Sequence, residues 1–200
     1  MRQSSQIGGN KMSETKADTT SMGLFVISFL MLVFALVGIF AFTEYDNALG
    51  LVGGSFMAAF AAGIVFAFVT FAMWKANNKF VMIIFATLTV FAIVYSGTFW
   101  GTSLALVAGA QWVFLVLAII VIVYALIAFL NKAGFMLTLL LLVTGLAVLF
   151  LFLACNVTGG ALAADAQTFM LLVGLFSLIG FILALWMALA DNTDIGLPVM

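Results

Sequence analysis

Histidine is missing from this chain of 200 residues, and Cys155 and Pro198 are each the only residue of their kind. Without histidine, and with one cysteine, the spacings that hold metal ions, such as C-x-x-C, cannot occur, and no internal disulfide is possible. Cys155 is read as a small apolar packing residue. With proline confined to position 198, the apolar stretches carry no proline break, which argues against an ion site built from broken helices. Charge is equally scarce. Six basic and seven acidic side chains leave a net charge of -1 and no clustered basic face, so no nucleic-acid partner is expected.

What the chain has is apolar surface, at 67% hydrophobic residues against 6% charged. A soluble domain of this length cannot bury so much, because a large share of its residues must face water. The bilayer is therefore the expected solvent. A spanning helix needs about 20 mostly apolar residues to cross about 30 Å of hydrocarbon. Six runs meet or approach this: Gly23–Phe42, Leu51–Trp74, Phe80–Trp100, Leu104–Leu130 (entering the bilayer near Trp112), Ala133–Cys155 and Phe169–Ala190. The runs are continuous, whereas strands of an outer-membrane barrel would alternate in polarity. The expected fold is an all-α membrane protein, a bundle of six transmembrane helices over residues 21–191, with a flexible tail at 1–20 and a short one at 192–200.

The few charges sit between the runs. Arg2, Lys11 and Lys16 precede the first, Lys75 and Lys79 separate the second from the third, and Lys132 separates the fourth from the fifth. Glu44, Asp46 and Asp165 occupy the alternate connections, which have no Lys or Arg. Placing lysine at mid-span costs about 2.5–3.5 kcal/mol, and basic loops stay in the cytoplasm, so both termini are expected there. Trp74, Trp100 and Trp112 at span ends fit an interfacial belt. The first run is long for a signal peptide and "FAFTEY" is a poor cleavage site, so it is read as a retained span. Met12 is a second candidate for the natural start, which would make 1–11 an extension. No strong internal repeat is visible, although inverted halves of three spans would leave little trace.

No Asp, Glu, Lys, Arg or His falls inside any apolar run. Intramembrane proteases, metal enzymes and proton pumps need such groups at depth, so enzymatic activity and a cofactor are not expected. The polar groups left include Ser28, Thr70, Thr87, Thr89, Ser96, Thr98, Tyr124, Thr138, Thr144 and Ser177. Each can bond its own helix backbone, or some can line a path for a small solute. Thr87, Thr89 and Ser96 are the better candidates for the second role, with Thr89 and Ser96 on one helical face. The 22 phenylalanines suit lipid and helix contacts, and a few could form a dewetting constriction. Small residues recur every fourth position, at Gly50, Gly54, Ala58 and Ala62 and at Gly180, Ala184 and Ala188. Such stripes let helices approach closely, either inside one subunit or between subunits.

Several stretches taken together resemble the acetate uptake transporter family, the microbial acetate and succinate permeases. In "ADTTSMGLF", Met22, Gly23 and Leu24 fit the family's opening N-P-A-P-L-G-L signature, while Asp18, Thr19 and Ser21 replace its asparagine and prolines. "WKANNKF" supplies the family's aromatic-basic pair and the N-x-F of Asn78 and Phe80. Phe85, Thr87 and Phe91 then fall in step in the third span, "FLNKAGFMLTLLLLVTGLAVLFLFLACN" resembles the fifth with its closing Asn156, and "LALWMALAD" the end of the sixth. The resemblance covers nearly all of residues 17–191 and marks a divergent member. It implies a homohexamer with a path through each subunit, narrowed by side chains of spans one, three and five. Those positions fall on Ile27 with Phe25 nearby, on Leu88 beside Thr87, and near Val143 to Gly145. Leu88 stands where the family has tyrosine, and Phe66 and Met73 where it has glutamine and glutamate.

The expected function is a channel or transporter for small monocarboxylates such as acetate, passive or proton-linked, in a prokaryotic plasma membrane. Backbone amides around Met22 to Leu24 would offer partial positive charge to the solute. Two alternatives stay open: a channel for another small neutral solute such as ammonia or urea, and a non-transporting scaffold whose small-residue faces bind other helices.

Overall fold

The structure, a computed structural model, describes residues 7–43, 45–101, 111–157 and 163–192, with side chains described over 19–41, 53–97, 111–157 and 163–190. Glu44, Leu104 and Pro198 lie outside these residues, as does Arg2, and Lys11, Lys16, Asp46, Gly50, Thr98 and Trp100 lie outside the described side chains. The chain folds as α1 (Ile7–Thr43), α2 (Tyr45–Lys75), α3 (Lys79–Gly101), α4 (Gln111–Leu130), α5 (Phe135–Asn156) and α6 (Gln167–Asn192), with a 3-10 turn at Ala164–Ala166 before α6. Among the described residues six segments are long and apolar enough to cross a bilayer: Thr19–Ala41, Gly53–Lys75, Lys79–Gly97, Gln111–Leu130, Phe135–Asn156 and Ala164–Ala190. The protein is an all-α, multi-pass membrane protein. Apolar side chains such as Phe68, Val116 and Leu126 are exposed around its outside, as a surface solvated by lipid requires.

Helix α1 starts further out than its apolar run, passing through much of the segment expected as a tail. That segment has no proline, so a helix founded in the bilayer propagates outward through it. One expectation changes as a result. The amides of Met22 to Leu24 lie inside α1, where each bonds the carbonyl four residues back, so they are not open to a solute.

Each helix packs on its neighbours in sequence and α6 returns to α1, so the helices form a ring. The α1–α6 joint is the closest. A Cβ placed on Gly38 would lie 2.5 Å from the amide nitrogen of Gly174 and 2.5 Å from the carbonyl oxygen of Met170. Only glycine permits backbones to approach this far. Across the ring, α3 and α4 approach closely at few places among the described residues.

Two turns at one end share a construction. After α2, the amide of Asn77 bonds the Trp74 carbonyl and that of Asn78 bonds Met73; after α4, Lys132 bonds Phe129 and Ala133 bonds Ala128. This is the Schellman pattern, and its left-handed residue is Asn77 (φ 55°) in one turn and Lys132 (φ 53°) in the other. Gly134 (φ 94°) then sets the direction of α5. Lys75, Lys79 and Lys132 all fall at this end, and the Lys75 ammonium lies 4.6 Å from the centre of the Phe71 ring. Thr20 donates to the sulfur of Met73 and Ser21 donates to the Ala188 carbonyl at 3.0 Å. The start of span one and the ends of α2 and α6 therefore meet at the lysine end.

Candidate functional site

The ring encloses a cavity of about 40 Å³ at mid-bundle, and every helix contributes to its wall. Ile27, Leu30, Met31 and Phe34 come from α1 and Phe66 from α2, while α3 adds Thr87, Leu88 and Phe91. Leu117 and Val121 of α4, Thr144, Ala147, Val148 and Leu151 of α5, and Val173 and Ser177 of α6 complete it. A water needs about 10–15 Å³ on this scale, so the space takes about three water-sized groups, comparable to a very small organic molecule.

Buried rings stand at both ends. Toward the lysine end Phe85 packs on Phe66, at 5.8 Å between centroids, and its ring edge presses on the Gly23 backbone, leaving no space for a Cβ there. Toward the other end lie Phe34, Phe91, Tyr95 and Phe114, with Phe34 to Tyr95 at 5.0 Å and Phe91 to Phe114 at 6.2 Å. The Tyr95 hydroxyl is joined to Ser55 of α2 at 2.8 Å, a buried bond between helices.

The described serines and threonines that stood out in the spans as possible path residues divide into two groups. Ser28, Thr70, Thr89, Ser96 and Thr138 donate to a carbonyl three or four residues back on their own helix and stand away from the cavity. Thr87, Thr144 and Ser177 line it. Thr144 donates to the Leu140 carbonyl at 2.7 Å; Thr87 donates to Ile83 at 3.0 Å and meets the Tyr124 hydroxyl at 3.1 Å. Ser177 is 1% exposed and its Oγ has no hydrogen-bond partner. An unpartnered buried hydroxyl costs about 1–3 kcal/mol and can be relieved by a guest that bonds it.

Of the positions expected on a path, Ile27, Thr87 and Leu88 line this cavity. Phe25 does not. It lies two residues from Ile27, about 200° around the helix, and is 41% exposed on the outer surface. Val143 is buried beside Gly180, and Gly145 faces Ile122 of α4; Thr144 between them is the residue of that stretch on the cavity wall. In the motif positions Ser21 and Leu24 are buried, Met22 is exposed, Asn78 lies in the α2–α3 turn, and Phe80 packs against a small α3–α4–α5 cluster. Among the small residues, Gly180 packs on Met31, and Ala62, Ala184 and Ala188 are buried. Gly54 is exposed with nothing within 4 Å of an added Cβ, and Ala58 is half-buried.

No local sequence pattern announces the Gly38–Gly174 crossing or the Ser55–Tyr95 bond. Their signal, a glycine or hydroxyl in each of two distant spans, needs a pairing that one sequence does not supply. Comparison with known proteins adds no identification: no family model, no curated protein and no solved structure matches the chain.

Proposed function

We propose that the protein passes small uncharged solutes across a membrane through the central cavity, with short monocarboxylic acids in their protonated form as the leading class. The observation that carries this reading is the mid-depth cavity, walled by all six helices and holding the unpartnered Ser177 hydroxyl. A protonated carboxyl group suits that wall because it can donate one hydrogen bond and accept another. A bare carboxylate does not suit it. Among the described residues no cationic side chain lines the cavity, and an isolated ion in such a medium carries a desolvation cost of several kcal/mol or more. The acid then carries its own proton, so flux and proton movement are linked without a titrating side chain. The family resemblance adds acetic acid as the first solute to try, a homohexamer as the assembly, and a prokaryotic plasma membrane with the lysine end in the cytoplasm.

The test is flux of radiolabelled acetate into liposomes with and without the protein, background subtracted, across pH 5 to 8. Carboxylic acids ionise with pKa of about 4–5, so the protonated fraction falls about tenfold per pH unit above that range. Protein-dependent flux should fall with it. Urea and ammonia run alongside, since hydroxyls alone also suit neutral solutes. Liposomes with protein that match protein-free ones for every solute overturn the proposal.

A further inference from the structure

We propose that the cavity also has a side window between α3 and α4, gated by Leu88, through which an uncharged single-headed amphiphile dissolved in the bilayer enters and blocks permeation. This rests on the permeation reading only for its consequence; the binding stands on separate observations. The first is packing. The ring is closed tightly at α1–α6 by the Gly38–Gly174 contact and loosely at the opposite joint, α3–α4.

The second is exposure. Every other side chain on the cavity wall is buried, and the two that are only half-buried, Thr87 and Leu88, both lie on α3 at that joint. The third is a break in the core. The main apolar cluster and the smaller one formed by Ile84, Val121, Ala125, Ala128 and Leu141 are separate, and Leu88 packs at the margin of both. The window is framed by the Phe91–Phe114 ring contact on one side and the Thr87–Tyr124 bond on the other.

Depth decides the guest. Leu88 is the midpoint of the 19-residue span Lys79–Gly97, so the window opens into hydrocarbon, where charged and strongly hydrated molecules do not dissolve. Inside, the wall is apolar apart from three hydroxyls, of which Ser177 has no partner. A primary alcohol or protonated fatty acid matches both features: its head bonds Ser177 while its chain trails through the window into lipid. Swinging Leu88 aside joins the cavity to the acyl-chain layer without moving the α1–α6 joint.

The experiment uses the full chain in lipid nanodiscs and a medium-chain primary alcohol carrying an alkyl diazirine, photolysed and mapped by peptide mass spectrometry. Adducts are expected on Met31, Leu88 and the peptide around Ser177, competed by the unlabelled alcohol. Outward-facing Val90 and Ile93 label without competition and report that each variant is inserted. Ser177→Ala should weaken the competed labelling about three- to tenfold, the loss of one hydrogen bond. Leu88→Trp should abolish it and Leu88→Ala increase it, so a folding failure of one variant leaves the other decisive. A trimethylammonium analogue should label the outside only.

Competed cavity adducts with this variant pattern support the window whether or not acetate flux is seen. Their absence, or cavity adducts indifferent to both Leu88 variants, overturns it even where flux is present. Flux that persists undiminished when the cavity is labelled overturns the blocking role.

Discussion

The α1–α6 crossing yields a sharp stability test. In Gly38→Ala the new methyl carbon sits 2.5 Å from a backbone nitrogen and a backbone oxygen of α6, whereas ordinary contact begins near 3.4 Å. The helices must separate by about 0.9 Å, and no side-chain rotation can relieve the clash because the three nearest atoms are all main chain. In Gly174→Ala the nearest atom is the Ile39 nitrogen at 3.0 Å, so about 0.4 Å suffices. Overpacking costs about 1–3 kcal/mol, with Gly38→Ala at the upper end and Gly174→Ala at the lower. Each substitution regains up to about 1 kcal/mol of helix propensity. Net destabilisation of about 2 kcal/mol is therefore expected for Gly38→Ala and close to zero for Gly174→Ala. Gly54→Ala and Gly97→Ala, with nothing within 4 Å, serve as neutral or slightly stabilising controls. Unfolding by sodium dodecyl sulfate in mixed micelles, followed by circular dichroism, measures all four. The double variant should cost less than its parts together, because the first methyl already parts the helices. If Gly38→Ala falls within 0.5 kcal/mol of Gly54→Ala, or Gly174→Ala proves the worse, the crossing is not as close as described.

Four further outcomes follow from residues already placed. Ser177→Ala removes the unpartnered hydroxyl and should raise stability by about 1 kcal/mol in the same titration, while lowering acetate flux. Tyr95→Phe keeps the ring packing and loses the bond to Ser55, so it should cost about 1 kcal/mol. Lys132→Gly relieves a left-handed residue with a bulky side chain and should stabilise by about 1 kcal/mol, against less for Asn77→Gly, since asparagine tolerates that region. Leu88→Tyr adds bulk at a cavity of about 40 Å³ and should reduce solute flux; unchanged flux would take Leu88 off the path.

Span number and the lysine end were readable because hydrophobic length and the cost of burying charge act locally along the chain. Three residues of the cavity wall were singled out too, Ile27, Thr87 and Leu88, although family resemblance rather than helical geometry indicated the first and last. Phe25 shows the limit. A residue two places away points to the opposite side, and a helix apolar all round has no polar face to announce which side is inward. Bilayer helices hide their facing for that reason, and the near-zero amphipathic signal of α1 left Gly38 indistinguishable from its neighbours. Thr89 and Ser96 share a face as expected, but their hydroxyls bond the backbone and stand off the cavity wall. Which of the many hydroxyls lacks a backbone partner is a fact of three-dimensional packing alone.

The tightest joint links α1 to α6, so it cannot form until the ribosome has delivered all six of these helices. The α2–α3 and α4–α5 hairpins, each turned by the same local device, need no such wait. Biogenesis would therefore run through two early hairpins and a late clasp, leaving the glycine side of α1 uncovered meanwhile. Quality-control machinery that samples loosely packed membrane segments would meet this protein in that interval, and a chain cut short before α6 would never leave it.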